Sequence, residues 1–160
     1  MASPRLALTV IGLLVAALAA CGSEPDPEAD YRSEVNQICS DAIRAAQNVT
    51  PPRSPDAFAP YISRILELSK QYDRRFERVE APPSMRAAHA DLLRLNERGE
   101  RVFEQWRRAL VRGADPLRTL RSRLAELDRL LRDQNALARK AGLDDCVQSL
   151  PAPGQGPIES

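Results

Sequence analysis

Apolar residues recur at alternating spacings of three and four along four stretches of this 160-residue chain, and that recurrence narrows the fold more than any other feature. The last stretch is the cleanest, with Leu117, Leu120, Leu124, Leu127 and Leu131 followed by Gln134 and Ala138. The first stretch carries Tyr31, Val35, Ile38, Ala42, Ala45 and Val49; the second carries Phe58, Ile62, Ile65, Ser69, Tyr72, Phe76 and Val79. The third runs through Met85, Ala88, Leu92, Leu95, Gly99, Val102, Trp106 and Leu110. On a helix each set falls on one stripe, and a one-sided stripe is stable only when buried against another.

Punctuation fits those limits. Pro51-Pro52 ends the first stretch, and Ser54-Pro55 supplies a cap and a first-turn proline for the second. Ala81-Pro82-Pro83-Ser84 separates the second from the third, with Ser84 as cap, and Asp115-Pro116 opens the fourth. Gly142 supplies a glycine stop, with Arg139 and Lys140 favourably placed in the last turn. Short connections make successive helices antiparallel, so the expected fold is all-α, an antiparallel four-helix bundle over residues 31–146. A three-helix core with the first helix clamped across it is the alternative. Residues 21–30 form an acidic, proline-containing tether, although Asp26-Pro27 or Asp30 offers a cap within it; residues 147–160 form a flexible tail.

The amino terminus sets the address. Residues 6–20, "LALTVIGLLVAALAA", carry no charge and follow Arg5. Fifteen apolar residues fall short of the roughly 20 that a permanent span requires, and the pattern describes a signal peptide over residues 1–20. Leu18-Ala19-Ala20-Cys21 resembles the lipobox of bacterial lipoproteins. The resemblance implies cleavage before Cys21 and acylation of its sulfur, with palmitate or similar chains holding the protein on the extracytoplasmic face of the cell membrane. Lipidation of Cys21 leaves Cys39 and Cys146, and an even pair in an exported chain is expected to form a disulfide tying the first helix to the C-terminal segment. That bridge strains the simplest bundle: either the first helix slides toward one end or the "LDDC" segment folds back over it.

Charge excludes some partners. Ahead of Cys21 the only charged side chain is Arg5, so the remainder carries 22 basic and 22 acidic groups, and net charge predicts no nucleic-acid partner. No cofactor or metal is expected, since a metal bundle needs Glu-x-x-His pairs and His89 is the only histidine. His89 is read as a partly exposed helix residue. With no nucleophile elbow and no phosphate loop, the chain is not expected to be an enzyme.

Two features remain. Ser69, Asn96 and Gly99 fall at similar height when the second and third helices run antiparallel, so small and polar groups there could line a ligand pocket. The ordinary alternative is a close helix crossing with Asn96 facing water. The stretch 101–123 holds seven arginines against Glu104 and Asp115, gathered at the end of the bundle away from the tether. Arg107, Arg108, Arg112, Arg118 and Arg121, with Trp106, are the candidate contacts for an acidic envelope polymer or protein. A solvated arginine-rich face, supported by pairs such as Arg123 with Glu126, is the alternative. The layout as a whole, with "VNQIC" in the first helix, proline-broken hairpins and a late "GLDDC", is similar to small helical lipoproteins of actinobacteria, which carry no agreed activity. The expected function is a membrane-anchored binding or scaffolding module; the alternative is a carrier or sensor of a small apolar ligand held between the helices.

Overall fold

The computed structural model describes residues 26–148, which are helical without a strand. Five α-helices follow one another: α1 Pro27–Gln47, α2 Phe58–Phe76, α3 Arg86–Val111, α4 Pro116–Arg121 and α5 Leu124–Ala141. Short 3-10 turns cover Pro55–Ala57 and Asp144–Cys146. Cys21 and the rest of the signal and lipobox stretch lie outside the described residues, as does the tail from residue 149. Among the described residues no helix is long and apolar enough to cross a membrane.

Proline and aspartate set two helix starts as expected. The Asp26 side chain accepts from the amides of Glu28 and Ala29, so α1 begins at Pro27, inside the stretch read as tether. Asp115 caps α4 through the Arg118 amide. Ser84 does not cap α3. It donates instead to Glu28 at 2.5 Å, while α3 starts at Arg86 without a side-chain cap. The second stretch opens as a 3-10 turn, and Pro60 falls in the first turn of α2, where a missing N–H costs no helical bond.

The fourth stretch is not one helix. Thr119 Oγ1 donates to the Asp115 carbonyl and Ser122 Oγ to the Thr119 carbonyl, both at 2.7 Å. Such back-bonding bends a helix, and the chain turns at Ser122–Arg123 between α4 and α5. The turn takes Leu117 and Leu124 off the core stripe, leaving them 56% and 47% exposed. Arg123 reaches Gln105 at 2.7 Å rather than Glu126, which lies 3.9 Å from Arg98.

The disulfide between Cys39 and Cys146 is present, and the fold-back of "LDDC" explains how it forms. Gly142 adopts φ 70°, and the Leu143 amide returns to the Ala138 carbonyl, reversing the chain at the end of α5. Leu143 is fully buried, the 144–146 turn packs on α1, and Asn36 accepts from the Asp145 amide. Arg32 donates to the Ala141 carbonyl at 3.0 Å. Elsewhere α1 packs on α2, α2 on α3, and α3 on α5.

Two apolar clusters hold these helices. One gathers Tyr31, Val35, Ile38, Phe76, Leu92 and Leu143 with their neighbours near the start of α1. His89 is half-buried there, accepting or donating at 3.0 Å with the Tyr31 hydroxyl, its ring 4.4 Å from that of Phe76. The other holds Ile62, Leu66, Trp106 and Leu110 toward the α3–α4 corner.

Candidate functional site

Between the two clusters the core is hollow. A cavity of about 400 Å³, partly open to solvent, takes its walls from α1, α2, α3, α5 and the disulfide segment. Protein interiors are normally packed with few voids larger than a water, so this waist departs from the rest of the fold. The cavity also accounts for Ile65, Tyr72, Leu95, Leu127 and Leu131, which sit on the expected stripes yet are only half-buried. They face a space instead of a neighbour.

Ser69, Asn96 and Gly99 all line this cavity. The close-crossing alternative does not hold, because a Cβ placed on Gly99 would meet no atom within 4 Å. Nor does Asn96 face water alone: its amide donates to Asp73 Oδ1 at 2.7 Å, and its Oδ1 accepts from Gln134 at 3.1 Å. Ser69 lies 3.5 Å from the other Asp73 oxygen. The sequence reading missed Asp73 and Glu100, which complete this polar wall. Their signal was available, since Ser69 with Asp73 and Asn96 with Glu100 are both i,i+4 pairs on facing helices.

Burial, together with the Glu100 carboxyl beside it, pushes the Asp73 carboxyl up to about 7. Among the described residues that line the cavity, Glu100 is the other charged side chain; α1 and α5 present neutral groups, Gln134 among them. A carboxyl raised in the folded state binds its proton more tightly there than in the unfolded chain. The stability this contributes is present in full below about pH 4 and is lost as pH rises through about 7. Asp73→Asn should flatten that part of the profile. The difference between variant and parent in urea midpoints should change across this window by on the order of 1–2 kcal/mol, allowing for solvent screening.

The basic tip is rearranged. Trp106 is 6% exposed and packed in the second apolar cluster, so it is no surface contact: its place on the α3 stripe, not its arginine neighbours, decides its environment. Arg107 is held by Glu104 through two bonds of 2.7 and 2.9 Å, which also keep the Glu104 carboxyl below its usual range. Arg108, Arg112, Arg118 and Arg121 are exposed around the α3–α4 corner. Val111 at 66% exposure joins Leu117 and Leu124 there, giving a surface that is basic and partly apolar.

Fold and site together describe, over residues 26–148, an all-helical domain with a hollow, largely apolar waist that is polar on one side. No protein-family model matches the chain, and neither curated proteins nor solved structures yield a match.

Proposed function

We propose that this chain is a lipid-anchored cell-envelope protein whose helical domain holds a small, largely apolar ligand between its helices, as a carrier or sensor. The anchor reading rests on Leu18-Ala19-Ala20-Cys21 and places the domain on the extracytoplasmic face of the membrane. The long helices α1, α2, α3 and α5 are read as an antiparallel bundle around the ligand, closed by the disulfide segment. The scaffolding role would rely on the arginine corner; the cavity is the stronger observation, and the function is assigned to it. We read the protein as a binder rather than an enzyme.

The cavity carries this conclusion through its size. Its volume of about 400 Å³ lies within the range of ligand pockets, roughly 300–1,000 Å³, and its opening to solvent gives a guest a way in. Most of its lining is hydrocarbon, which an apolar guest would cover and take out of water.

Gly99→Leu tests the assignment. The new side chain enters the open space beside α3 and improves helix propensity, so the ligand-free protein should gain at least about 1 kcal/mol. Native mass spectrometry of the parent chain, purified from membranes of its host, should show a non-covalent adduct that the Gly99→Leu chain lacks. Retention of the same adduct by a stabilised variant would place the ligand elsewhere.

A further inference from the structure

The character of the ligand's polar end can be read from the cavity wall, given the cavity reading above. Asp73 and Glu100 together bring four carboxyl oxygens to one side of the space. The protein donors that meet them are few: the Asn96 amide at 2.7 Å and the Ser69 hydroxyl at 3.5 Å, both on Asp73. Gln134 meets neither carboxyl: its amide donates to Asn96 Oδ1. Glu100 Oε1 is buried with no donor from the described protein groups. Among the described residues, no arginine, lysine or histidine lines the cavity.

A buried carboxyl oxygen without a donor costs about 1–3 kcal/mol, more when charged. Two carboxyl groups side by side can relieve this only by sharing a proton, since neither otherwise donates. A guest that brings its own donors and a positive charge relieves both at once. The rest of the wall offers that guest hydrocarbon contact, from Ile65, Leu68, Leu95, Phe103, Leu127 and Leu131.

We propose that the cavity receives an amphipathic amine, its ammonium head seated at Asp73 and Glu100 and its hydrocarbon body in the apolar part of the waist. The head replaces the proton that the two carboxyls otherwise share, and that proton leaves to solvent. The charge of the pair thereby selects against fatty acids and other anionic amphiphiles, for which the same volume and apolar wall would serve equally well. Volume limits the body: at a water's share of about 30 Å³ per heavy atom, roughly a dozen atoms fit.

Three probes of one chain length separate head recognition from simple apolar filling. Calorimetric titration of the purified full chain with decylamine, 1-decanol and decanoate at neutral pH should rank them in that order. The amine should bind at least about 10-fold tighter than the alcohol, the ratio expected for a charge-assisted hydrogen bond, and decanoate weakest. The double variant Asp73→Asn with Glu100→Gln should bring amine and alcohol within about 2-fold while leaving alcohol binding intact. Equal affinity of all three probes for the parent chain would overturn the head assignment and leave the cavity reading standing. No binding of any probe by the folded parent would overturn both. Because the parent chain alone yields the ranking, a variant that failed to fold would not rescue the proposal.

Discussion

Trp106→Ala is expected to lower the unfolding free energy by about 3–5 kcal/mol, the usual cost of truncating a buried aromatic. The cluster around Trp106 is small. Its fully packed members are Ile62, Leu66 and Leu110, with exposures of 1%, 4% and 9%, and Phe103 lies with its ring centroid 6.1 Å from the indole. Few neighbours are available to collapse into the vacated space, and Phe103 also lines the central cavity, so the void would open onto one that already exists. The indole nitrogen finds no acceptor among the described protein groups, which makes the ring's bulk its main contribution. Trp106→Phe should therefore retain most of the stability, with a loss of about 1–2 kcal/mol. Arg108→Ala, two positions away and exposed, should stay within about 0.5 kcal/mol of the parent. Urea titrations of the three variants decide the matter. A Trp106→Ala chain as stable as the parent would return the indole to the surface.

Loss of the Cys39–Cys146 bridge is the second large effect. The bond spans a sequence separation of 107 residues. Constraint of so long a loop in the unfolded chain contributes up to about 4.7 kcal/mol in the entropic view, and about 2–4 kcal/mol is the common outcome. Reduction, or Cys146→Ala with Cys39→Ala, should shift the urea midpoint accordingly while far-UV dichroism below the transition stays unchanged. The effect should reach the waist as well. Val35, Ile38, Ala42 and Ala46 of α1 and Cys146 itself form part of the cavity wall, so the reduced protein should bind decanol more weakly than the oxidised one. An unaltered midpoint on complete reduction would show that the contacts of Arg32, Asn36 and Leu143 already hold the segment in place.

How far the chain could be read in advance depended on the range of the interaction concerned. Asp115-Pro116 and Gly142 act within one turn and work where the pattern puts them, while Asp26-Pro27, one of two caps on offer, starts α1 ahead of the expected boundary at residue 31. The pairing of Cys39 with Cys146 was legible once the lipobox resemblance had set Cys21 aside. The break between α4 and α5 was not, since Leu117 to Leu131 keep a perfect spacing through it and only hydroxyl back-bonding by Thr119 and Ser122 marks the bend. Trp106 carried two signals at once, an apolar stripe and a run of arginines. Burial of an indole outweighs a surface role for it by several kcal/mol, and the stripe prevails. Ser69, Asn96 and Gly99 could be set at one height by counting from the 81–84 turn. Whether that layer is packed or hollow depends on the separation of helices, which no single stripe encodes. Asp73 and Glu100 escaped notice because counting apolar positions steps over the carboxyls beside them.

The bridge has a mechanical side. Tension applied between the two ends of the chain would peel α1 only as far as Cys39. There the sulfur–sulfur bond hands the force directly to Cys146, and everything from residue 40 to residue 145 drops out of the line of traction. All of α2, α3 and α5 thus hangs as an unstressed loop from a covalent hinge, and a pull that stretches the ends can strip Val35 and Ile38 from the waist but leaves the wall of Ser69, Asp73, Asn96 and Glu100 at rest.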